Sequence, residues 1–469
     1  MRKGITILHG FPGFLNGQYL TSVACNPVKR ILYFLFLFRP SLPSLPMPEE
    51  KKNKLLYNFF SLGIVQAITS LLQLIVIPYV ISKIGVDGFG IVAVAQVVMF
   101  YLSAFTEYGF NQTATRDISI NRDDQFSISK IFFRVIFSKI ILCVLSFIVL
   151  LILVLIVPVF RQYSFLYITG FVFVAGQTVL INWFFLGMEK MQQMAFILLV
   201  ARVIFVLLVF LFIKSKADDV LYLFFLGTGN FVMGIISIFL VVKKFNIQFI
   251  MPARREIVDE FQKGWQITAT NLSNNICQYS NVFILRLFTN DLVTGYYSVA
   301  ERIFLTLRQM LSVFSQAVYP QVCRLMESNR FTIVSYFRKV YFPFLVAIFS
   351  GCVVLFFLSP WIIYFFIGHE STDVVLLLRL FAIVLLIASL NIPATLLLLS
   401  ADQRKSYFKI YAAAAVVNVL LNIILAYYFQ SKGTAIAILI TELFVMIALT
   451  KEVFSLNIVN RQQLYSRTR

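Results

Sequence analysis

The chain has 469 residues, of which 60% are hydrophobic and 13% charged, and its mean hydropathy is +0.86. Soluble proteins carry about a quarter charged residues, so the composition excludes an ordinary soluble protein and predicts a polytopic membrane protein. A net charge of +19 would suit nucleic acid, but the basic residues are concentrated in alternate loops, which argues against a nucleic-acid partner.

Apolar runs follow one another along the chain, most of them near the roughly 20 residues that cross a hydrocarbon core of about 30 Å. We count twelve: about 57–81, 88–110, 132–157, 163–186, 193–213, 220–242, 264–287, 295–320, 334–358, 373–399, 406–429 and 433–454. The sequence therefore predicts an all-α integral membrane fold with twelve transmembrane helices.

Residues 1–46 do not fit this pattern. The apolar stretch Ile31–Phe38 is too short to span a membrane and is followed by Pro40, Pro43 and Pro46. It lacks a convincing cleavage site for a signal peptide. We expect a disordered extension, or a start placed too early, with Met47 opening the functional chain.

The two halves of the chain are weakly similar at an offset of 205. Gly90–Gln96 lies over Gly295–Glu301, and LGMEKM (186–191) matches LSADQR (399–404) at an offset of 213. Parallel repeats of this kind are typical of transporters, with the site between the halves. We predict six-helix bundles over 47–245 and 264–455, a cytoplasmic linker over 246–263 and a cytoplasmic tail over 456–469.

The basic residues assign a side to each loop. Few occur in one set of alternate loops, namely Lys83, Arg161, Lys214, Lys216 and Lys432, and most of the others lie in the opposite set. By the positive-inside rule both termini are cytoplasmic.

Three segments resemble a known family. They are PYVISKIGVDGFG (78–90), TEYGFNQTATRDISINRDD (106–124) and NWFFLGMEKM (182–191). These resemble the Wzx-type O-antigen flippases, the polysaccharide-transport branch of the multidrug/oligosaccharidyl-lipid/polysaccharide (MOP) exporter superfamily. The likeness covers about 50–455. The family often has Gln-Gly-Leu-Glu where this chain has Leu186-Gly187-Met188-Glu189, which weakens any role for an amide there.

The resemblance implies two six-helix bundles of the MOP/MATE type that open alternately to each side of the bacterial inner membrane. It also implies the substrate, an oligosaccharide linked to undecaprenyl diphosphate. Further partners would be membrane lipids, a coupling ion (H⁺ or Na⁺), a polysaccharide polymerase and a chain-length regulator. No cofactor is expected.

Five arginines lie in predicted spans away from their cytoplasmic ends, at depths where an exposed cation costs roughly 2.5–3.5 kcal/mol. Guanidinium groups pair well with phosphate, so we predict that a water-filled cavity shelters these side chains for an anionic substrate. Arg202 and Arg308 are deep, Arg302 is intermediate and faces differently from Arg308, and Arg286 and Arg379 are near enough to the outer ends to reach headgroups. Arg134 and Lys139 are expected to meet headgroups on the cytoplasmic side.

Matching polar stripes follow the first and seventh predicted helices: Gln66, Ser70 and Gln73 on one, and Asn271, Asn275 and Gln278 on the other. Spacings of four and three place each set on one helical face. They would line the cavity, or join helices by packing and hydrogen bonds.

Glu301, Glu442 and Glu107 are candidates for ion coupling. Glu301 shares a face with Arg308 and would pair with an arginine across the cavity. Glu442 would form an ion pair with a cation on a neighbouring helix, or carry a proton. For Glu107 a pair with Arg116 is the favoured alternative to coupling.

Other classes of protein find little support in the sequence. Two histidines and five scattered cysteines predict no catalytic centre, metal site or disulfide framework. A cation antiporter of the same superfamily would need acids rather than arginines in its cavity. A polysaccharide polymerase would need a long outer loop, and the longest here is roughly 358–372. We therefore expect a transporter and not an enzyme.

Overall fold

A computed structural model describes residues 49–328 and 331–456; the side chains of most residues before 68, and of several in 263–278 and 320–332, are outside this description. Within the described ranges every regular element is a helix. In chain order they are α1 (Glu49–Glu107), α2 (Phe110–Ile120), α3 (Gln125–Ile156), α4 (Pro158–Gln162), α5 (Ser164–Gly170), α6 (Val172–Val179), α7 (Asn182–Gly187), α8 (Met191–Phe212), a 3₁₀ turn (Lys216–Asp218), α9 (Asp219–Lys244), α10 (Arg254–Phe288), α11 (Asp291–Ser328), α12 (Phe331–Ile367), α13 (Thr372–Leu390), α14 (Ile392–Ser400) and α15 (Arg404–Ser455).

The two longest helices are each interrupted by one residue with non-helical backbone. Gly85 breaks α1 with φ 81, and Gln430 breaks α15 with φ 51. Just after the second break, a Cβ on Gly433 would overlap the carbonyl oxygen of Leu425, so the chain turns back tightly there. These breaks fall between the runs predicted as separate spans, 57–81 and 88–110, and 406–429 and 433–454.

Eight helical segments within the described residues are long and apolar enough to cross a membrane, and α1 and α15 each supply one that contains a break. Helices α10 and α11 do not qualify, since their polar and charged residues lower the hydropathy. The all-α membrane fold predicted from the sequence is confirmed, whereas the count of twelve stays a prediction.

The fourth predicted span of each half is a broken helix that ends in the same turn. In the first half it comprises α5, α6 and α7, and in the second α13 and α14. Each is followed by a non-glycine residue with positive φ, Glu189 at 55° and Asp402 at 56°. Lys190 N–H donates to Phe185 C=O and Gln403 N–H to Leu398 C=O, the same six-residue closure. The repeat of 186–191 in 399–404 therefore has a structural counterpart.

The two halves contact each other through the second part of α1 and α11. A Cβ on Gly90 would overlap the carbonyl oxygen of Asp291, and a Cβ on Gly295 would overlap that of Val86. The absence of side chains lets the two helices approach with their backbones in contact. Gly90 and Gly295 are also partners in the 205-residue repeat, so the contact joins equivalent positions of the halves.

The loops with few basic residues meet at this end of the molecule, which we call the outer end after the charge pattern. Tyr163 donates to Asp291 over 3.4 Å, and Tyr296 lies 3.1 Å from His369. The loop between α12 and α13 is only 368–371, because α12 continues through Pro360 to Ile367. The outer segment predicted over 358–372 is therefore mostly helix.

At the opposite end, the segment predicted as a linker is partly helical. Helix α10 begins at Arg254, so the non-helical connection runs only over 245–253. The first turns of α10 are held on the first half by two ion pairs, Glu256 with Lys130 at 2.5 Å and Glu260 with Arg134 at 2.8 Å.

Candidate functional site

Arg202 lies in the middle of α8 with its guanidinium buried inside the first half. Its Nη1 is buried and makes no hydrogen bond within the described part of the chain. Tyr222, on α9, and Arg302, on α11 of the second half, lie within electrostatic range of it. A buried guanidinium within electrostatic range of another, with an unused donor, is a candidate to bind an anion.

Arg302 reaches across the contact between the halves. Its Nη2 donates to Oε1 of Gln96, on the second part of α1. Gln96 is 1% exposed, and its Nε2 makes no hydrogen bond to any described residue. This pair is the polar contact between α1 and α11, one to two turns deeper than Gly90 and Gly295. Arg302 was predicted to be intermediate in depth and to face differently from Arg308. The two side chains do contact different helices, Arg302 through Gln96 on α1 and Arg308 through Glu442 on α15.

Arg202, Arg302 and Gln96 therefore form one cluster, which we call the two-arginine site. Among the residues that the structure describes, no carboxylate oxygen lies within 4.0 Å of either guanidinium. Two buried donors remain unused there, Nη1 of Arg202 and Nε2 of Gln96. The cluster is positive, rich in donors and shared by both halves, so an anion of two or more oxygens would complete it.

Gln96 and Tyr222 were not predicted from the sequence. The repeat could have indicated Gln96, because this residue aligns with Glu301, a predicted site residue, at the offset of 205. Tyr222 is 1% exposed in an apolar stretch and packs edge-on against Phe205 at 5.5 Å, so nothing in its surroundings in the sequence distinguished it.

Arg308 belongs to a second, neutralised cluster. Its Nη2 lies 2.5 Å from Oε1 of Glu442, on the last part of α15, and its guanidinium lies 5.7 Å from the Phe304 ring. Asn391, at the break between α13 and α14, donates to the other carboxylate oxygen at 3.0 Å. Glu442 thus forms an ion pair with a cation on another helix, which is one of the two roles predicted for it.

Glu301 and Glu107 have different partners from those predicted. Glu301 is 6% exposed and accepts a hydrogen bond from Tyr297 at 3.3 Å, one turn before it on α11, and the cation that acts on it is that of its neighbour Arg302. Glu107 interacts with Lys139 and Asn111, not with Arg116. The chain turns at Gly109, where φ is 70°, and α2 starts in a new direction, so nearness in sequence did not predict the partner.

Lys139 and Arg134 lie inside the protein and not at the headgroups where they were expected. Lys139 is 3% exposed and donates to the carbonyl oxygens of Gln177 and Leu180, both at 3.2 Å, at the end of α6. Arg134 bridges Asp117 and Glu260. Sequence position alone predicted their depth but not the groups facing them.

Arg286 and Arg379 are engaged near the outer end. Arg286 pairs with Asp291 at 2.5 Å and donates to the Thr289 carbonyl at 3.0 Å, which closes the turn between α10 and α11. Arg379 donates to Ser359 at 3.2 Å and stacks 4.9 Å from the Phe356 ring on α12. Neither comes to the two-arginine site.

The structure describes only some side chains of the predicted polar stripes. Gln73, Asn271 and Asn275 are half-buried, whereas the side chains of Gln66 and Gln278 lie outside the described residues. Asn281, three residues after Gln278 on the same helix, is buried and accepts a hydrogen bond from Asn422 at 3.0 Å. That contact joins α10 to α15 and is packing within one half. No group of three His, Cys, Asp or Glu side chains that could hold a metal occurs among the described residues.

Two of the family-like segments pack against each other at the end opposite to the outer end. Arg122 donates to the Gly187 carbonyl at 2.7 Å and pairs with Glu189 at 2.9 Å. Thr115 donates to the Trp183 carbonyl at 3.0 Å, and a Cβ on Gly187 would press on Ile118. These motifs therefore join α2 to α7 and do not reach the two-arginine site.

Comparison with known proteins identifies the family. Residues 55–326 match the family described as "Polysaccharide biosynthesis protein", so the chain belongs to that family. It is 27% identical over 403 residues to an Escherichia coli (strain K12) protein named "Putative O-antigen transporter", covering 84% of this chain and 95% of that protein. A Shigella dysenteriae protein of the same name is 28% identical over 399 residues, covering 84% and 99%. The family predicted from the sequence motifs is confirmed.

Solved structures of MOP-superfamily transporters share the fold. The MATE multidrug transporter DinF-BH has a TM-score of 0.61 at 15% identity, covering 91% of this chain and all of that one. An inward-facing MATE transporter has a TM-score of 0.58 at 15% identity, covering 94% and 100%. The fold is therefore that of the MOP-superfamily transporters, and the long apolar helices make the chain a multi-pass membrane protein.

Proposed function

We propose that the protein moves an oligosaccharide linked to undecaprenyl diphosphate from the cytoplasmic to the outer leaflet of the bacterial inner membrane. The product would serve O-antigen or another surface polysaccharide. The single observation that carries this proposal is the two-arginine site, with one guanidinium buried in the first half, one from the second half in contact with Gln96, and no described carboxylate in an ion pair with either. A diphosphate has the charge and the number of oxygens to occupy it.

We further propose alternating access as the mechanism. The halves touch through bare backbone at Gly90 and Gly295 and are joined by Tyr163 with Asp291. These contacts lie at the outer end, where a gate between the halves would have to open. Arg302 belongs to one half and Arg202 to the other, so an anion between them would experience any relative motion of the halves.

The cation antiporter is the runner-up, and the charge of the site disfavours it. A cationic substrate requires uncompensated acids. Glu442 is neutralised by Arg308, and Glu107 lies beside Lys139. Glu301 accepts a hydrogen bond from a tyrosine and is in no ion pair among the described contacts, so it is the remaining candidate for a coupling proton. Anion recognition would therefore belong to the arginines, and coupling to H⁺ or Na⁺ would belong to Glu301.

The polymerase alternative has no support in the described residues. Between α12 and α13, where the sequence predicted the longest outer loop, only 368–371 connect the helices. The cytoplasmic termini and the inner-membrane location remain part of the proposal, supported by the distribution of basic loops.

The test is export by charge variants in a strain that lacks its own flippase. Arg202→Ala and Arg302→Ala should each lower surface polysaccharide by about tenfold or more at equal protein level, since a charge-assisted hydrogen bond contributes about 1.5–3 kcal/mol. Lysine at either position should restore part of the loss. Arg379→Ala is the matched control, because that guanidinium is engaged on α12. Normal export by both alanine variants would refute the proposed site.

A further inference from the structure

A groove on the surface of the first half lies between α8 and α9. Its volume is about 320 Å³, within the range of sites for small molecules. Phe185, Ile197 and Val241 form its buried floor. Phe245 is held beside the floor by Phe184, with ring centroids 5.3 Å apart.

Apolar atoms line almost all of the groove, and polar side chains border it only at one end. Gln192 and Gln193 occupy the first turn of α8, and Lys244 the last turn of α9. One turn deeper, on the same faces, α8 presents Phe196 and Ile197, and α9 presents Leu240 and Val241. This order, with a cation and amides at the end and hydrocarbon beyond, matches a lipid lying with its headgroup at the membrane surface.

We propose that this groove binds one anionic phospholipid. Its acyl chain would lie along the apolar turn, between Phe196 (65% exposed) and Leu240 (51% exposed), and its phosphate would meet Lys244. Lys244 is the charged residue of the lining, so the groove suits an anionic headgroup rather than a neutral one. The charge pattern places this end in the cytoplasmic leaflet, where anionic lipids favour basic residues.

The occupant is a resident lipid and not the transported one. Every residue that lines the groove belongs to the first half, 47–245. A lipid in the groove would therefore stay with the first half during transport. This inference does not depend on the proposed substrate.

The experiment measures lipid retention on the purified full chain by native mass spectrometry. The probes are phosphatidylglycerol, phosphatidylcholine with the same acyl chains, and soluble glycerol 3-phosphate. Wild type should retain phosphatidylglycerol in preference to phosphatidylcholine, and glycerol 3-phosphate should not compete. Lys244→Gln should weaken retention of phosphatidylglycerol about fivefold, because one lysine near the surface contributes roughly that much.

Two matched controls separate the groove from the general surface. Lys243→Gln makes the same charge change on a neighbouring exposed lysine that does not line the groove, and should leave retention unchanged. Phe196→Ala should weaken retention, whereas Phe239→Ala, at a side chain that is 67% exposed outside the groove, should not. Equal effects at Lys243 and Lys244, equal effects at the two phenylalanines, or competition by glycerol 3-phosphate would each overturn the proposal.

Discussion

Arg202 and Arg308 are similar in depth but differ in their partners. Arg308 is paired with Glu442 and supported by Asn391. Arg202 has a tyrosine and a second arginine around it. An arginine that is paired with a carboxylate stabilises the fold. A buried arginine without a counter-charge is unfavourable, and binding of an anion removes that cost.

The pair formed by Arg308 and Glu442 gives a prediction about stability. Arg308→Ala leaves the carboxylate of Glu442, 10% exposed, without its cation. The free energy of unfolding should fall by about 2 kcal/mol, less than for a fully buried pair because Arg308 is 37% exposed. The double variant Arg308→Ala/Glu442→Gln should be more stable than the single variant. Thermal unfolding of the purified proteins measures both.

The control for this comparison is Arg404→Ala. Arg404 pairs with Asp402, and the two side chains are 81% and 83% exposed, so its removal should change stability little. If the double variant unfolds at a lower temperature than Arg308→Ala, the pair does not neutralise a buried charge as we describe.

At the scale of elements, the broken fourth span of the first half depends on a buried lysine. Helix α6 ends at Val179, and the carbonyl oxygens of Gln177 and Leu180 would lack partners at this depth without Lys139. Lys139 also faces Glu107. In the second half the corresponding break is at Asn391, and there Tyr341 donates to the Ser389 carbonyl at 2.8 Å. The two breaks are alike in position and differ in the chemistry that satisfies them.

Lys139→Met should therefore destabilise the protein by about 3 kcal/mol, because it leaves two carbonyls and one carboxylate unpaired in a buried place. Lys405→Met, at an exposed lysine, is the matched control. Folded protein per cell, read by fluorescence-detected size exclusion, should fall strongly for the first variant only. Equal yields would show that Lys139 is dispensable for the break.

Particular residues show which features of the fold and the site the sequence predicted and which it did not. The depth of Arg202 and the correspondence of 186–191 with 399–404 were predicted, since each depends on local pattern. Partners across helices were not. Arg308 and Glu442 are 134 residues apart, and periodicity gives the face of a helix without saying which helix it meets.

For the whole molecule, alternating access requires the two halves to separate at the outer end. Gly90→Ala places a Cβ where the Asp291 carbonyl lies, so it should hold α1 and α11 apart. Gly351→Ala is the control, because a Cβ there meets nothing within 4 Å. A single cysteine at position 163 should react faster with an impermeant maleimide in the Gly90→Ala background. Unchanged reactivity would contradict a gate at this contact.

The central claim is that the protein carries a diphosphate-linked oligosaccharide across the bilayer through the two-arginine site. The most direct measurement uses proteoliposomes with a fluorescent lipid-linked oligosaccharide, and follows its loss to an impermeant quencher as it changes leaflet. We predict transfer by the wild type, a rate about tenfold or more lower for Arg202→Ala and Arg302→Ala, and a normal rate for Arg379→Ala. Transfer at the wild-type rate by both alanine variants, or none by the wild type, would contradict the account.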